Sequence, residues 1–371
     1  MGKKGYESLN GNLIRLFLIA VVGFFVGGCA KPVAERVLWP MPPNEPRLEW
    51  LGVYRNESSL PNKTFMSKVV GGDTSSVFQR AMGVASNGKG QVYVADILAG
   101  KVKIFDFNAG SVGDLGQGSV FQSPIGLAVD GDGRIYVADG RRKAVLVYSA
   151  AHQPLFSIGG GDLFSKPAFV AVNDRLGRIY VTDSQAHKVV VFNKEGRHLF
   201  TFGKHGFEEG DLYAPQGIAI DDQNRVFVAD MFHFKIQVFD AEGKFLYAFG
   251  SQGTAPGDFE LPKGLAFDSE GHLYVTDARK SAMLIFSAEG EFLLSTGLGK
   301  TEHAMGYVMP SGITIDSRDR IYITDQMLNR ITEWQYLSPR YLQERPIAPE
   351  LLKAREERLQ RLQQSEPELV R

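Results

Sequence analysis

The sequence predicts an all-β fold, a six-bladed β-propeller with four antiparallel strands in each blade. One observation is a phrase such as RIYVAD, which recurs six times and ends at Asp96, Asp139, Asp183, Asp230, Asp277 and Asp325. Successive aspartates are 43 to 48 residues apart, and a period of about 40–50 residues is typical of propeller blades. A second observation is composition, because 41 Gly, 25 Phe and 13 Tyr among 371 residues favour strands joined by tight turns.

Each repeat divides into four short strands. The first follows a proline in five of the six copies, as in PIGLAVD, and the second is the aspartate phrase. A third strand such as KVVVF and a fourth such as KFLYAFG come next. In RIYVAD, at residues 134–139, alternate residues face opposite sides of the sheet and both sets are largely apolar. Such a strand is expected in a sheet that is stacked between two neighbouring sheets.

These units resemble NHL repeats, and the resemblance covers residues 47–338. It implies a six-bladed propeller, in a family that spans many functions. The sixth unit lacks a good fourth strand, whereas RLEWLGVYR at residues 47–55 is an orphan strand. We therefore expect residues 47–55 to pair into the sixth blade, because this removes an exposed sheet edge. In the tail, residues 339–371, a helix is expected from Pro349 to Gln364, where good helix formers follow a proline.

The N-terminal residues 1–28 are interpreted as the signal peptide of a bacterial lipoprotein. Basic residues precede an apolar run from Leu16 to Val26, which is too short to span the roughly 30 Å of a bilayer core. The following VGGC resembles a lipobox, in which Cys29, the one cysteine of the chain, receives the lipid. An uncleaved anchor with an incidental cysteine is the alternative.

Residues 29–46 are interpreted as a proline-rich tether between the lipid anchor and the fold. Five prolines in this stretch favour extended polyproline conformation and make a semi-rigid spacer. Ala30 stands where an aspartate would retain a lipoprotein at the inner membrane, so the resemblance to lipoproteins implies the outer membrane. The expected location is therefore the cell envelope.

The repeated aspartates are interpreted as structural residues. A carboxylate that ends a strand before a turn can accept hydrogen bonds from the next amides, and sixfold repetition suits a scaffold rather than chemistry. Basic side chains that could pair with the aspartates follow five positions later in four repeats, at Lys101, Lys188, Lys235 and Arg330.

The positions of the histidines in the repeats give little support for a metal site. The NHL-type amidating lyases, which the repeats resemble, bind zinc with histidines that include the residue after the repeat proline. Here that position holds Ile125, Ala168, Gln216, Lys263 and Ser311. No cofactor or metal is therefore expected, and His233 is expected to be an exposed loop residue.

The best candidate for a binding surface is what we call the loop face. It comprises the turns after the repeated aspartates and the loops before the first strand of each blade, which should emerge on one side. Apolar loop residues beside arginines are enriched in protein interfaces. The residues expected to bind a partner are Arg141, Arg142, Lys143, Met231, Phe232, His233, Arg279, Lys280 and Met327.

The function expected from these patterns is that of a non-enzymatic envelope lipoprotein. Its loop face would bind a protein partner or an extracellular polymer, and the family resemblance implies an envelope cytochrome complex as one such partner. A net charge of −1 at pH 7 argues against nucleic-acid binding. The alternative is a metal-dependent propeller enzyme of lyase or lactonase type.

Overall fold

The structure is a computed structural model that describes residues 36–41, 44–61, 75–116, 121–160, 163–297 and 303–365. The predicted signal peptide and Cys29 lie outside these residues. The chain divides into two compact units, Met1–Val37 and Leu38–Arg371. Only residues 36 and 37 of the first unit are described, and the second unit contains the propeller. No helix in the described ranges is long and apolar enough to cross a membrane.

Six antiparallel sheets form the blades, which confirms the predicted six-bladed propeller. In the first five sheets the four strands are hydrogen-bonded in chain order, from the inner strand to the outer one. Blade one contains β3 (Ala81–Ser86), β4 (Gln91–Asp96), β5 (Lys101–Asp106) and β6 (Ser111–Asp114). Blade two contains β7 (Pro124–Val129), β8 (Ile135–Asp139), β9 (Ala144–Tyr148) and β10 (Pro154–Gly159).

The next three blades repeat this pattern. Blade three contains β11 (Pro167–Asn173), β12 (Arg178–Asp183), β13 (Lys188–Asn193) and β14 (His198–Phe202). Blade four contains β15 (Pro215–Ile220), β16 (Val226–Asp230), β17 (Lys235–Phe239) and β18 (Phe245–Phe249). Blade five contains β19 (Pro262–Phe267), β20 (Leu273–Asp277), β21 (Ala282–Phe286) and β22 (Phe292–Thr296).

Blade six is closed by the N-terminal strand, as the sequence predicted. It contains β23 (Pro310–Ile315), β24 (Arg320–Asp325) and β25 (Arg330–Tyr336), and β2 (Leu48–Tyr54) pairs antiparallel with β25. The hydroxyl of Tyr54 donates a hydrogen bond of 2.6 Å to Oε2 of the buried Glu333. A short strand, β1 (Val37–Trp39), adds to the outside of β2, so part of the segment assigned to the tether belongs to this sheet.

The first strand of each blade lines the central axis and contacts the first strands of both neighbouring blades. A Cβ atom at Gly126 would lie 2.4 Å from the carbonyl oxygen of Ala168, and one at Gly217 would lie 2.2 Å from that of Lys263. Real Cβ atoms do not approach this closely, so only glycine lets adjacent blades meet here.

The core lies between the blades and is built from the second and third strands. Tyr136, Tyr180 and Val228 are 0% exposed, and the same second-strand positions are buried in every blade. After β25 the chain forms two helices, α1 (Pro339–Glu344) and α2 (Pro349–Ser365). The second of these is the helix that the sequence predicted.

Candidate functional site

The repeated aspartate of blade two joins two segments of the loop face. Asp139 is 0% exposed. Its Oδ2 accepts a hydrogen bond from the amide of Gln122 at 2.7 Å, and its Oδ1 accepts one from Ser123 at 2.9 Å. On the other side, Oδ1 also accepts from the amides of Arg141 at 3.2 Å and Arg142 at 3.1 Å. One carboxylate therefore binds the loop before β7 to the turn after β8.

The equivalent carboxylates of blades one, three, five and six accept amide hydrogen bonds from the same two segments. The sequence suggested that these aspartates could pair with the basic residues five positions later, and for Lys101 this is wrong. Lys101 Nζ lies 2.8 Å from Oδ2 of Asp114, and the Arg330 guanidinium donates to the carbonyl of His303 at 2.9 Å. The physical reason is that buried backbone amides already occupy the aspartate oxygens.

Blade four departs from this pattern. Oδ1 of Asp230 accepts from the amide of Tyr213 at 2.8 Å, but Oδ2 accepts from Nε2 of Gln237 at 2.6 Å and lies 2.7 Å from Nδ1 of His233. The His233 side chain is only 10% exposed. His233 is therefore not the exposed loop residue that the sequence suggested, because its imidazole is held against the repeated aspartate.

Six aromatic and imidazole rings form a cluster beside Asp230. Tyr213 is at its centre, with ring centroids 5.0 Å from His205, 5.1 Å from Phe232 and 5.5 Å from His187. Phe207 packs 5.5 Å from His233 and is 80% exposed, so the cluster presents an aromatic surface to solvent.

His187 in this cluster has a fixed hydrogen-bonding role. Its Nδ1 accepts a hydrogen bond of 2.9 Å from the amide of Ala214, so the neutral ring carries its proton on Nε2. Burial and the neighbouring His205 lower the pKa of His187. The ring therefore helps to hold the loop before β15 in place, in its neutral form.

The residues expected to bind a partner all lie on the loop face, but they differ in exposure. Arg141, Arg142 and Lys143 are exposed, as are Phe232, Arg279 and Met327. Met231, His233 and Lys280 are partly buried. Lys280 Nζ donates a hydrogen bond of 2.9 Å to the carbonyl of Ala255, which ties it to the loop between blades four and five.

No group of three or more His, Cys, Asp or Glu side chains in the described part of the chain is arranged to hold a metal ion. His187 and His205 are close, with ring centroids 4.6 Å apart. Nδ1 of His187 is occupied by the Ala214 amide.

A separate cleft of about 610 Å³ lies beside blade five, away from the loop face. It is lined by Arg47, His272, Leu293 and Tyr336, among others. Nδ1 of His272 lies 2.9 Å from Oδ2 of Asp268, and this hydrogen bond raises the pKa of His272.

Sequence reasoning missed the exposed Phe207 together with Tyr213 and His205. All three lie in the loop between β14 and β15, at residues 203–214, and not in a turn after an aspartate. The available signal was the density of aromatic residues in this loop, KHGFEEGDLY.

Comparisons with known proteins agree with this architecture. Residues 211–299 match the family described as "6-bladed beta-propeller", and residues 121–148 and 164–192 match the NHL repeat. No curated protein shows significant similarity to the chain.

Similar solved structures include a protein of unknown function from Bacteroides thetaiotaomicron, with a TM-score of 0.60, 19% identity and coverage of 76% of this chain and 75% of that one. A gluconolactonase from Xanthomonas campestris gives a TM-score of 0.56 and 18% identity, covering 83% of this chain and 99% of that one. For virginiamycin B lyase from Staphylococcus aureus the TM-score is 0.51 and the identity 14%, with coverage of 69% and 80%. At these identities the likeness is one of fold. The chain is a six-bladed β-propeller built from NHL repeats.

Proposed function

We propose that this protein is a non-enzymatic, lipid-anchored scaffold of the bacterial cell envelope, whose loop face binds a protein partner. The lipid on Cys29 and the outer-membrane location are part of this proposal. They are supported by the apolar run and the VGGC motif of the N-terminal sequence. The propeller supplies a rigid support, since its strands are committed to packing and its loops are left for recognition.

The observation that carries this proposal is the location of exposed apolar side chains. The three most exposed large apolar residues in the described ranges are Phe207 at 80%, Leu98 at 57% and Met327 at 56%. All three belong to the loop face, although they come from different parts of the ring. The exposed Arg142 and Arg279 lie on the same face. Aromatic residues, methionine and arginine are enriched in protein interfaces, so a protein is favoured over a polymer.

The test compares two variants matched in chemistry but changed on opposite faces. The loop-face variant carries Arg142→Ala, Phe207→Ser and Arg279→Ala. The control variant carries Lys89→Ala, Leu176→Ser and Lys244→Ala, in turns at the other end of the strands. Each full-length chain is used to capture partners from detergent-solubilised envelopes, and captured proteins are identified by mass spectrometry and stained for haem.

We expect the wild type and the control variant to capture the same partner and the loop-face variant to lose it by tenfold or more. A haem-positive partner would identify an envelope cytochrome. Capture that survives in the loop-face variant, or is lost in the control variant, would contradict the proposal. One zinc or calcium ion bound per purified chain would instead favour the enzymatic alternative.

A further inference from the structure

The cleft beside blade five has the size and lining of a ligand site. Its volume of about 610 Å³ falls within the range of about 300–1,000 Å³ that is usual for small-molecule pockets. Part of its lining, which we call the aliphatic wall, is formed by Ile285, Leu293 and Leu294. His272 and Arg47, which can both carry positive charge, line the same cleft. An apolar wall with a few polar groups is the usual composition of a site for a small organic molecule.

In blades three and four, an arginine at the start of the second strand reaches the fourth strand. The guanidinium of Arg225 in blade four donates a hydrogen bond of 3.1 Å to the hydroxyl of Tyr247 in β18. In blade three the guanidinium of Arg178 lies over the ring of Phe200 in β14, 5.6 Å from its centroid. In both blades an arginine and an aromatic ring therefore fill the space beside the outer strand.

Blade five has smaller side chains at both of these positions. His272 precedes the second strand in place of the arginine, and Leu294 in β22 stands in place of the aromatic residue. An imidazole reaches less far than a guanidinium, and both residues line the cleft. The cleft therefore occupies the space that blades three and four fill with their own side chains.

The imidazole of His272 has one nitrogen held by the protein and one left for a ligand. Oδ2 of the buried Asp268 lies 2.9 Å from Nδ1 of His272 and accepts a hydrogen bond of 3.0 Å from the hydroxyl of Tyr274. Nδ1 therefore carries a proton. Nε2 makes no hydrogen bond within the described part of the chain and is accessible to solvent, in a side chain that is 29% exposed.

The charged groups around this imidazole favour an anionic ligand. The carboxylate of Asp268 is occupied as described, and that of Glu270 accepts a hydrogen bond from the hydroxyl of Tyr336. The guanidinium of Arg47 is 62% exposed and lies 3.8 Å from Glu45, which is 86% exposed; this distance is longer than a hydrogen bond. Two cationic groups thus have N–H donors to spare, and such donors bind a carboxylate strongly.

The segment that contributes Arg47 is tied to the rest of the fold on two sides. The amide of Arg47 donates to the carbonyl of Trp39 at 2.7 Å, and Nε1 of Trp39 donates to the carbonyl of Ser295 in β22 at 2.9 Å. The amide of Leu337, which follows β25, donates to the carbonyl of Arg47 at 2.9 Å. The backbone of Arg47 is therefore fixed before a ligand binds, which lowers the cost of binding.

We propose that this cleft binds an aliphatic carboxylic acid, whose carboxylate is held by Nε2 of His272 and the guanidinium of Arg47 and whose chain lies against the aliphatic wall. The hydrocarbon chain gains free energy by leaving water, and the two cations select the acid group. This site does not depend on the protein partner proposed above, because the cleft lies away from the loop face.

The test is isothermal titration calorimetry of octanoate into the full-length protein. 1-Octanol and octylammonium keep the chain but change the head group, and acetate keeps the head group without the chain. The variants are His272→Gln, which removes the cation, and Leu293→Ala, which shortens the aliphatic wall. Leu246→Ala is the matched control, because Leu246 holds the same position in β18 of blade four and is 44% exposed, against 46% for Leu293.

At pH 6 we expect the wild type to bind octanoate more tightly than each comparison ligand by about tenfold or more. His272→Gln should weaken octanoate binding by about tenfold, because it removes a charge-assisted hydrogen bond. Leu293→Ala should weaken it by about threefold, and Leu246→Ala should leave it unchanged.

The affinity for octanoate should also depend on pH. The hydrogen bond to Asp268 raises the pKa of His272, so the imidazolium is present at pH 6 and is lost as the pH rises. Octanoate is ionised throughout, because carboxylic acids titrate near pH 4. The wild type should therefore bind octanoate less tightly at pH 9 than at pH 6, and His272→Gln should show no such difference.

Three results would overturn the proposal. The first is no detectable binding of octanoate, or binding of 1-octanol or octylammonium that is equally tight. The second is an equal loss of affinity in Leu293→Ala and Leu246→Ala. The third is an unchanged affinity of His272→Gln for octanoate at pH 6.

Discussion

Replacement of Asp139 by Asn tests whether the repeated aspartates hold the loop face together. Four backbone amides, those of Gln122, Ser123, Arg141 and Arg142, donate to this buried carboxylate. An asparagine has one acceptor oxygen and one NH₂ group, so in either orientation at least one buried amide faces a donor instead of an acceptor. A hydrogen bond to a charged group contributes about 1.5–3 kcal/mol, and an unsatisfied buried donor costs a similar amount.

We therefore expect Asp139→Asn to lower the free energy of unfolding by about 2–4 kcal/mol, and Asp139→Ala to lower it further. The assay is equilibrium denaturation by guanidinium chloride, followed by tryptophan fluorescence and circular dichroism. Asp132→Asn is the control, because the Asp132 side chain is 65% exposed and the change should be worth less than about 0.5 kcal/mol. An unfolding midpoint for Asp139→Asn equal to that of the control would refute the structural role.

Three further predictions concern packing and pH. Gly217→Ala should destabilise the protein by about 2 kcal/mol, because the added Cβ would meet the backbone of Lys263. Gly113→Ala is the control in the same denaturation assay. It should be neutral, because a Cβ at Gly113 would have no atom within 4 Å. Burial raises the pKa of Glu333, so the stability it contributes is present below its unfolded pKa of about 4.3 and is lost as the pH rises through the folded value. Melting temperatures from pH 4 to 8 should therefore vary less in Glu333→Gln than in the wild type; an unchanged pH profile would contradict this. The hydrogen bond to Asp268 also raises the pKa of His272, so the charged pair stabilises the fold at low pH and this stability is lost as the pH rises. His272→Gln should therefore lower the melting temperature at pH 5.5 and lower it much less at pH 8. An equal loss at both pH values would exclude the charged pair.

The parts of the fold that were predictable depend on local and repeated signals. The aspartate phrase defined each second strand, and the missing fourth strand of the last repeat indicated that residues 47–55 would close the ring. β1 was not predicted, because three residues between prolines carry no periodicity and form a strand only through β2.

The site was less predictable than the fold. Exposed loop cations such as Arg142 and Arg279 could be placed from their position in the repeat. The burial of His233 could not, because it depends on a carboxylate shared with Gln237. The exposure of Phe207 likewise depends on how the loop at residues 203–214 packs against His233, through Phe207 and Tyr213. Such tertiary contacts leave no period in the sequence.

Amide hydrogen exchange of the full chain, with and without its captured partner, tests most directly whether the loop face is the binding surface. We predict slower exchange on partner binding in the loop at residues 203–214 and in the turns at residues 140–143 and 231–234. Exchange in the turns at residues 174–177 and 241–244, at the other end of the strands, should not change. Protection confined to these opposite turns, with unchanged exchange across residues 203–214, would contradict the account.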